Sequence, residues 1–307
     1  PGLFNHSGRR LQQFCYMILL YHLVFPDDTP TDAWNAGGIL RLSAFERQLS
    51  WLNRRFPIIS LDDYIENLSK DQSNKNKYSA ITFDDGYRNV IDLVSPFLIK
   101  QRFPATFFVT TSHLEDECLL WFVYINALCS DGPYSLLEVA GDTLPLDHPK
   151  NRKKTYQTLI NMARQSGDPK GFVLELSRCY PLPDGVKNMY EGPTRDQFLA
   201  FRNSNLLTLG GHTHSHPYLD QISMADQAFE IRQNKAILEE LTQKSVGYFA
   251  YTGGIYTGIT INVVKQAGFE AALAVRPKDL GDNNLFELPR TDIYSPSMIK
   301  FGLKVRG

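Results

Sequence analysis

Residues 78–110 read YSAITFDDGYRNVIDLVSPFLIKQRFPATFFVT, and this stretch decides the fold. It begins with an apolar run over 78–83 that predicts a buried strand. Val90 and Leu93 then lie at helical spacing on one side of the next segment. A second apolar run over 105–110 predicts another strand. A strand, a helix and a strand in that order indicate a βαβ unit with two parallel strands.

The same alternation extends along the chain in both directions. Further strands are predicted by the apolar runs over 15–21, 206–209, 248–251 and 271–275. Helical patterns lie between them, and strands that alternate with helices form parallel sheets. This many units favours an α/β fold with a closed or nearly closed barrel. In such a barrel the catalytic residues directly follow the strands, at their carboxyl ends.

Residues 115–193 interrupt this rhythm. They contain polar helix candidates, prolines and glycines, and they lie between two strand–helix units. A segment of this length is too long for a simple connection. We expect one catalytic domain over residues 1–307, in which this inserted segment is mostly helical. It should lie over or beside the barrel and border the substrate cleft.

Composition and charge narrow the classes of partner. Of 307 residues, 32 are basic and 33 acidic, which gives a formal net charge of −1. The basic residues are scattered, so we expect no nucleic-acid partner. The apolar run over 16–21 is too short to span a bilayer and lacks the flanks of a secretion signal. We expect no transmembrane segment and no signal peptide in this chain, a pattern that suits the cytoplasm or the cell envelope alike.

The segment ITFDDGY over 81–87 indicates chemistry. Its apolar strand ends in two adjacent carboxylates, Asp84 and Asp85, and Gly86 then allows the chain to turn sharply. Two carboxylates packed together are unfavourable unless a cation lies between them or one is protonated. The alternative interpretation is a solvated surface turn, because Asp-Asp-Gly is also common turn sequence.

The segment GGHTHSHP over 210–217 directly follows another predicted strand. In a helix, His212 and His216 would share a face at i, i+4, the spacing at which two imidazoles bind one metal. In an extended segment His214 would lie on the same side as both, so the spacing leaves His214 open as a ligand. The alternative is a set of hydrogen-bonded structural histidines, which suits one histidine better than a cluster of three.

Together the two motifs predict a metal site. Two histidines and one carboxylate are a familiar catalytic zinc set that leaves a coordination position for water. The remaining carboxylate would then be free to act as a general base. We therefore expect Zn²⁺ as the cofactor, and cobalt, nickel and iron suit similar ligands.

These motifs resemble the first two signature motifs of the polysaccharide deacetylases, the NodB-homology enzymes of carbohydrate esterase family 4. The matching stretches are TFDDG (82–86), HTHSHP (212–217), LYH (20–22), FPATFFV (103–109), FAY (249–251) and LPR (288–290). The resemblance covers nearly the whole chain. It implies a distorted (β/α) barrel in which Asp85, His212 and His216 hold the metal and Asp84 is the general base.

Two departures separate this sequence from the family pattern. In the third motif Ala250 stands where many members have arginine, and Thr252 stands where they have proline. Many members also take their general acid from a late histidine, whereas no histidine follows His216 here. The branch similar to poly-N-acetylglucosamine deacetylases instead uses a Tyr-His near the N-terminus. The resemblance to that branch implies His22 as the general acid.

The resemblance thus implies a hydrolase that removes N-acetyl groups from the amino sugars of a polysaccharide or glycan. Arg290 follows a strand candidate and is expected to orient the catalytic carboxylate, with a structural salt bridge as the alternative. A backbone N–H near Gly253 is expected to bind the oxyanion. Tyr87 and Trp121 are candidates to contact the sugar, although Trp121 suits the core better.

Two other functions remain open at this stage. One is hydrolysis of O-acetyl groups or of a non-sugar amide on the same fold, because the motifs define the metal chemistry and not the acyl acceptor. The other is glycan binding without catalysis. A binding module would be favoured by loss of a motif aspartate or histidine, and all of them are present.

Overall fold

The structure is a computed structural model that describes residues 17–30, 33–70, 78–115, 119–279 and 284–305. The strands in these ranges are β1 (Ile18–Tyr21), β2 (Ala80–Phe83), β3 (Ala105–Val109), β4 (Leu136–Val139), β5 (Asp142–Pro145), β6 (Leu207–Gly211), β7 (Tyr248–Ala250), β8 (Ala271–Ala274), β9 (Leu288–Pro289) and β10 (Thr291–Asp292). The helices are α1 (Leu42–Asn53), α2 (Leu61–Lys70), α3 (Arg88–Gln101), α4 (Ser112–Glu115), α5 (Trp121–Asp131), α6 (Pro149–Gln165), α7 (Pro169–Cys179), α8 (Asp184–Tyr190), α9 (Arg195–Asn203), α10 (Met224–Thr242), α11 (Gly258–Gln266) and α12 (Met298–Lys304).

Parallel strands form one large sheet, which within the described ranges runs in the order β10-β1-β2-β3-β6-β7-β8-β9. Every residue of β1, β2, β3 and β8 is buried, as expected for parallel strands that are covered on both faces. The predicted fold is confirmed: the sheet curves into a nearly closed, distorted (β/α) barrel. The predicted strand over 15–21 is observed from Ile18, while residues 15 and 16 lie outside the described ranges.

The sheet closes at Arg290. β9 pairs with β8, and β10 pairs with β1 at the opposite edge of the sheet. Since Arg290 alone separates β9 from β10, one short stretch of chain joins both edges. The backbone N–H of Arg290 donates to the carbonyl of Ala274 at 3.0 Å, which continues the pairing with β8 up to the seam.

The two faces of the strands differ in chemistry. On the helix side, Phe83 of β2 stacks on Phe107 of β3 with ring centroids 4.7 Å apart, and Phe201 of α9 packs edge-on against Phe107. Alternate residues point to the barrel interior. There Thr82 receives a hydrogen bond from Arg290 at 3.3 Å. The barrel therefore has an apolar shell under the helices and an interior that holds the Arg290 guanidinium between polar Thr82 and the ring of Phe108.

Between β3 and β6, the inserted segment contains α5 to α8, as the sequence predicts, and residues 116–118 lie outside the described ranges. It also contains an antiparallel hairpin of β4 and β5, which was not expected. Helix α5 packs against α6, α7 and α8. Among the described residues, no helix combines the length and the apolar character that a membrane crossing requires.

Candidate metal centre

The Asp-Asp-Gly turn places two carboxylates at the carboxyl end of β2. Asp85 has a φ of 71° and Gly86 a φ of 77°, so the chain turns through two consecutive left-handed residues. A side chain at Gly86 would meet Val109 at 2.8 Å, which restricts this position to glycine. The left-handed conformation of Asp85 is uncommon for a non-glycine residue, and such residues concentrate at functional sites.

The histidine motif follows β6 in a conformation that is neither helical nor extended. Thr213 and His216 both have positive φ, at 62° and 58°. The hydroxyl of Thr213 accepts a hydrogen bond from the His216 N–H at 3.1 Å, which holds the turn closed. As a result the His212 and His216 side chains both point toward Asp85. The segment is therefore neither the helix nor the extended chain that the sequence analysis considered.

Asp85, His212 and His216 converge in the barrel mouth. Asp85 Oδ1 lies 3.5 Å from His212 Nε2 and 3.5 Å from His216 Nε2. Ligand atoms of a tetrahedral zinc site with bonds of about 2.0–2.2 Å lie roughly 3.3–3.6 Å apart. The donor types and their spacing therefore fit such an ion. In the part of the chain that the structure describes, no other trio of histidine, cysteine or acidic side chains has its donor atoms this close.

The hydrogen bond of His212 prepares it as a ligand. Its Nδ1 lies 2.8 Å from the carbonyl oxygen of Ala250. A carbonyl can only accept, so Nδ1 carries the proton and Nε2 presents its lone pair to the site. Ala250 is the position at which the third motif departs from the family pattern, and here its backbone, not its side chain, contacts the site.

His214 lies apart from the other two histidines. Its Nδ1 lies 3.0 Å from the hydroxyl of Thr111, and its ring packs edge-on against Phe229. It is not a member of the Asp85 cluster. The geometry thus resolves the alternative left open by the spacing, because the middle histidine of the motif faces helix α10 instead of the barrel mouth.

Asp84 is held by a different partner. Both of its carboxylate oxygens accept hydrogen bonds from Arg290, each at 2.7 Å, and the Arg290 side chain is fully buried. Burial opposes ionisation of Asp84, but the Arg290 guanidinium and His212 outweigh it and lower the pKa of this carboxyl. His212 Nε2 lies 3.9 Å from Asp84 Oδ2, so the two adjacent aspartates border one space.

Burial and neighbouring charges also act in opposite directions on the pKa values of Asp85 and His212. Burial disfavours the charge of Asp85, but the neighbouring His212 and His216 imidazoles hold the pKa of its carboxyl well below the ordinary value. Burial also disfavours a charged His212, yet the Asp84 and Asp85 carboxylates raise its pKa. For His216, burial and the neighbouring His212 lower the pKa. An ionised carboxylate next to imidazoles is the state that binds a cation.

A cavity of about 750 Å³ opens above these side chains. The other predicted site residues, His22, Tyr87 and Gly253, all line it. Gly253 has a φ of 59° in the short turn after β7. Tyr87 is buried, and burial together with the Asp85 charge raises the pKa of its hydroxyl well above the usual value. The cavity thus gathers all the predicted site residues except Arg290, which is fully buried and contacts Asp84 from behind the cavity wall.

His22 follows β1 at the edge of this cavity. Its Nδ1 is buried, and among the described residues it has no hydrogen-bond partner. Its ring stacks on Tyr294, with centroids 5.6 Å apart. Because Nδ1 is enclosed and the residue lines the cavity, Nε2 is the ring nitrogen that faces the open space. Trp121 also lines the cavity, but it is 5% exposed and its Nε1 donates to the His216 carbonyl at 3.0 Å.

Two residues of α10 hold the histidine motif, and sequence analysis missed both. Asn234 accepts from the His212 N–H at 3.1 Å and donates to the carbonyls of Thr213 and Val109 at 2.7 and 2.8 Å. Glu230 accepts from the N–H and the hydroxyl of Ser215 at 2.7 and 2.6 Å. Both are buried and lie one turn apart. The sequence signal that could have identified them is a pair of polar residues at i, i+4 on the same side of the predicted helix as Ile231 and Leu238.

Comparison with known proteins gives a consistent picture. Residues 71–272 match the family model described as polysaccharide deacetylase. A search of curated protein sequences gave no match.

Several solved structures share the fold. The Streptococcus pyogenes deacetylase PplD in complex with acetate is 19% identical, with a TM-score of 0.58 over 94% of this chain and 97% of that chain. A de-N-acetylase from Aggregatibacter actinomycetemcomitans is 16% identical, with a TM-score of 0.57 over 93% and 99%. IcaB from Ammonifex degensii is 16% identical, with a TM-score of 0.56 over 94% and 95%.

Proposed function

The chain belongs to the polysaccharide deacetylase family, and on that premise we propose that it is a metal-dependent hydrolase of N-acetylated glycans. The observation that carries the proposal is the division of labour between two adjacent carboxylates. Asp85 lies 3.5 Å from two imidazole nitrogens, whereas Asp84 is held through both oxygens by Arg290. This arrangement supports a role for Asp85 as a metal ligand and for Asp84 as a carboxylate that does not bind the metal.

Asp85, His212 and His216 would hold the metal, and their donor set suits Zn²⁺. When bound, a divalent ion would supply Lewis acidity for the acetyl carbonyl and the attacking water. Protein residues would perform the remaining tasks. His212 Nδ1–H donates to the Ala250 carbonyl and the His216 backbone N–H donates to the Thr213 hydroxyl, so both ligands are held in place without an ion, which would reduce the cost of binding one.

Asp84 would act as the general base. Arg290 keeps the carboxylate ionised and fixes its plane, and each oxygen retains a lone pair to accept a proton from the attacking water. A backbone N–H near Gly253 would donate to the developing oxyanion. The positive φ of Gly253 is the backbone conformation that lets this turn approach the cavity.

His22 would act as the general acid through Nε2. When the tetrahedral intermediate collapses, the bond between the acetyl carbon and the nitrogen breaks, and Nε2 gives its proton to the departing nitrogen. The products are acetate and a glycan with a free amino group. A proton donor matters more for an amine, a poor leaving group, than for an alcohol. This favours N-acetyl over O-acetyl substrates, and a structural relative named as a de-N-acetylase has the same fold.

We also propose that the whole chain is one catalytic domain in which the inserted segment borders the substrate. Support comes from the cavity, whose walls include Trp121, Phe122 and Asn126 of α5 and Tyr156 of α6. Tyr87 lies at the cavity floor beside Asp85, where it would contact the acetylated sugar.

Acetate release tests the proposed function. Oligomers of N-acetylglucosamine are incubated with the protein, with and without a chelator, and with Zn²⁺, Co²⁺ or Ni²⁺ added back. We expect release that the chelator abolishes and metal restores. Release from an O-acetylated glycan alone would assign the ester activity instead. Binding of the oligomers without any release would identify a glycan-binding protein and refute the hydrolase.

A further inference from the structure

We infer that Asn126, on helix α5 of the inserted segment, donates a hydrogen bond from its side-chain amide to an acceptor oxygen of the glycan. This inference rests on the proposed function, since it names a residue that recognises the substrate of the same site. Asn126 lines the cavity and is only 6% exposed, so its polar atoms contact either other protein groups or the cavity.

The orientation of the Asn126 amide is determined by its neighbours. Its Oδ1 accepts hydrogen bonds from the backbone N–H of Ala36 at 3.1 Å and from the hydroxyl of Ser130 at 3.2 Å. A backbone N–H can only donate, so the atom facing Ala36 must be the oxygen. The amide cannot rotate by half a turn without losing that bond.

The amide nitrogen of Asn126, Nδ2, is the atom of this side chain that is available to a ligand. Within the described ranges no group accepts a hydrogen bond from Asn126 Nδ2, and Nδ2 is not among the fully enclosed atoms that lack a partner. Since the residue borders the cavity, Nδ2 faces it. An amide N–H that faces the cavity without a partner in the protein takes its acceptor from water or from a ligand. An acceptor oxygen of a sugar hydroxyl, ring or acetamide group meets that need.

The wall around Asn126 is rigid. Asn35, the neighbouring asparagine in the cavity wall, uses both ends of its amide within the protein: Nδ2 donates to the Tyr190 hydroxyl at 3.0 Å, and Oδ1 accepts from Gly37 at 3.0 Å. Tyr190 in turn donates to Asp131 at the end of α5, at 2.7 Å. These bonds join the loop at 35–38 to α5 and α8. Asn35 therefore supports the wall, and Asn126 presents its donor from a preorganised position.

Two variants and a control test the inference. Asn126→Leu keeps the branching and the number of side-chain heavy atoms, and it removes both the Nδ2 donor and the Oδ1 acceptor. Asn126→Asp keeps the acceptor for Ala36 and Ser130 but replaces the donor by a second acceptor. Ser130→Ala is the matched control, because it removes a hydrogen bond to the same Oδ1 and leaves Nδ2 in place.

Each variant is characterised by three measurements. Calorimetry in an Asp84→Asn background gives the dissociation constant of an N-acetylglucosamine tetramer without turnover. Steady-state kinetics are measured on the tetramer and on 4-nitroacetanilide, an acetamide without a sugar. Elemental analysis gives the metal content.

We expect Asn126→Leu to raise the tetramer dissociation constant roughly three- to tenfold, the effect of one hydrogen bond. Asn126→Asp should raise it at least as much. Turnover of 4-nitroacetanilide, metal content and Ser130→Ala should match the wild type. If Asn126→Leu does not fold, Asn126→Asp carries the comparison.

An unchanged tetramer dissociation constant in both Asn126 variants would overturn the inference. So would an equal loss in Ser130→Ala, which would assign the effect to packing, or an equal loss on 4-nitroacetanilide. Failure of the proposed function is separate: Asn126-dependent tetramer binding without acetate release supports the inference and refutes the hydrolase. A wild-type protein that does not bind the tetramer refutes the inference, whatever its activity.

Discussion

The barrel rim and the inserted segment line the same cavity but are built differently. At the rim, Asp84, His212 and Arg290 follow or interrupt short parallel strands, and each is held by a bond to another barrel residue. In the inserted segment, Asn126 and Tyr156 lie on helices α5 and α6 and line the cavity. The difference indicates that the rim carries the proposed chemistry and the helices carry recognition. Damage at the rim should abolish turnover, whereas damage at the helices should change which substrates bind.

The largest effect should come from a metal ligand. His212→Ala removes one of three donors, so metal affinity should fall by more than about 10²-fold, the upper range for loss of a supporting outer residue. Acetate release should fall to background. Elemental analysis and calorimetric metal titration measure both. His214→Ala is the matched control in the same loop and should retain its metal. The reverse pattern would contradict the ligand assignment.

Loss of the proposed general acid should come next. His22→Ala should reduce turnover of N-acetylated oligomers by about 10²–10⁴-fold, because the departing amine is no longer protonated. Metal content should remain that of the wild type. His148→Ala, at an exposed position of the inserted segment, is the control. Wild-type turnover in His22→Ala would refute the role, and loss of metal would make His22 a ligand or a structural support.

A smaller effect is expected from a variant that retains Asp84 but weakens the contact that orients its carboxylate. Arg290→Lys preserves the charge and loses the two-point contact with Asp84, so turnover should fall by up to about 10²-fold through misplacement of the carboxylate. Initial rates at saturating substrate measure it, with thermal unfolding to exclude global damage. Arg276→Lys, the same change at an exposed position of the cavity, should have no such effect. Equal rates in all three proteins would show that Asp84 needs no orientation.

The smallest effect concerns one hydrogen bond between the two regions, from Trp121 Nε1 to the His216 carbonyl. Trp121→Phe should lower the free energy of unfolding by about 0.5–1.5 kcal/mol, plus the loss of some packing. Metal affinity should fall only slightly. Urea unfolding measures the first and metal titration the second. Trp34→Phe is the control, because its indole N–H donates to no described residue. A tenfold loss of metal affinity in Trp121→Phe would mean that the inserted segment shapes the metal site. That result would contradict the assignment of chemistry to the rim and recognition to the helices.

Much of the rim could be predicted because it follows the strands. Apolar runs end abruptly in Asp84, His212 or His22, and a parallel barrel gathers strand ends at one side. For Arg290 the sequence left two alternatives, a residue that orients the catalytic carboxylate and a structural salt bridge. Strands β9 and β10 contain two residues each, too few for any periodicity to show where Arg290 lies.

Other features depend on contacts that leave no local pattern. The Ala250 carbonyl that orients His212 is backbone, and its distance from the motif in sequence hides it. The left-handed conformations of Asp85 and His216 follow from the surrounding packing. The hairpin of the inserted segment did have a signal: buried Leu137, Val139 and Leu144 alternate around a two-residue turn at Ala140 and Gly141.

The position of Arg290 at the seam of the sheet has a consequence for the newly made chain. Asp84 precedes its guanidinium partner by 206 residues. At about 5–20 residues per second, synthesis of the intervening chain takes roughly 10–40 s. During that time Asp84 lacks its guanidinium partner, and the sheet lacks the stretch that joins its edges. On the proposed function, the nascent protein therefore becomes competent at the moment its barrel closes, because the same docking event completes both the scaffold and the base.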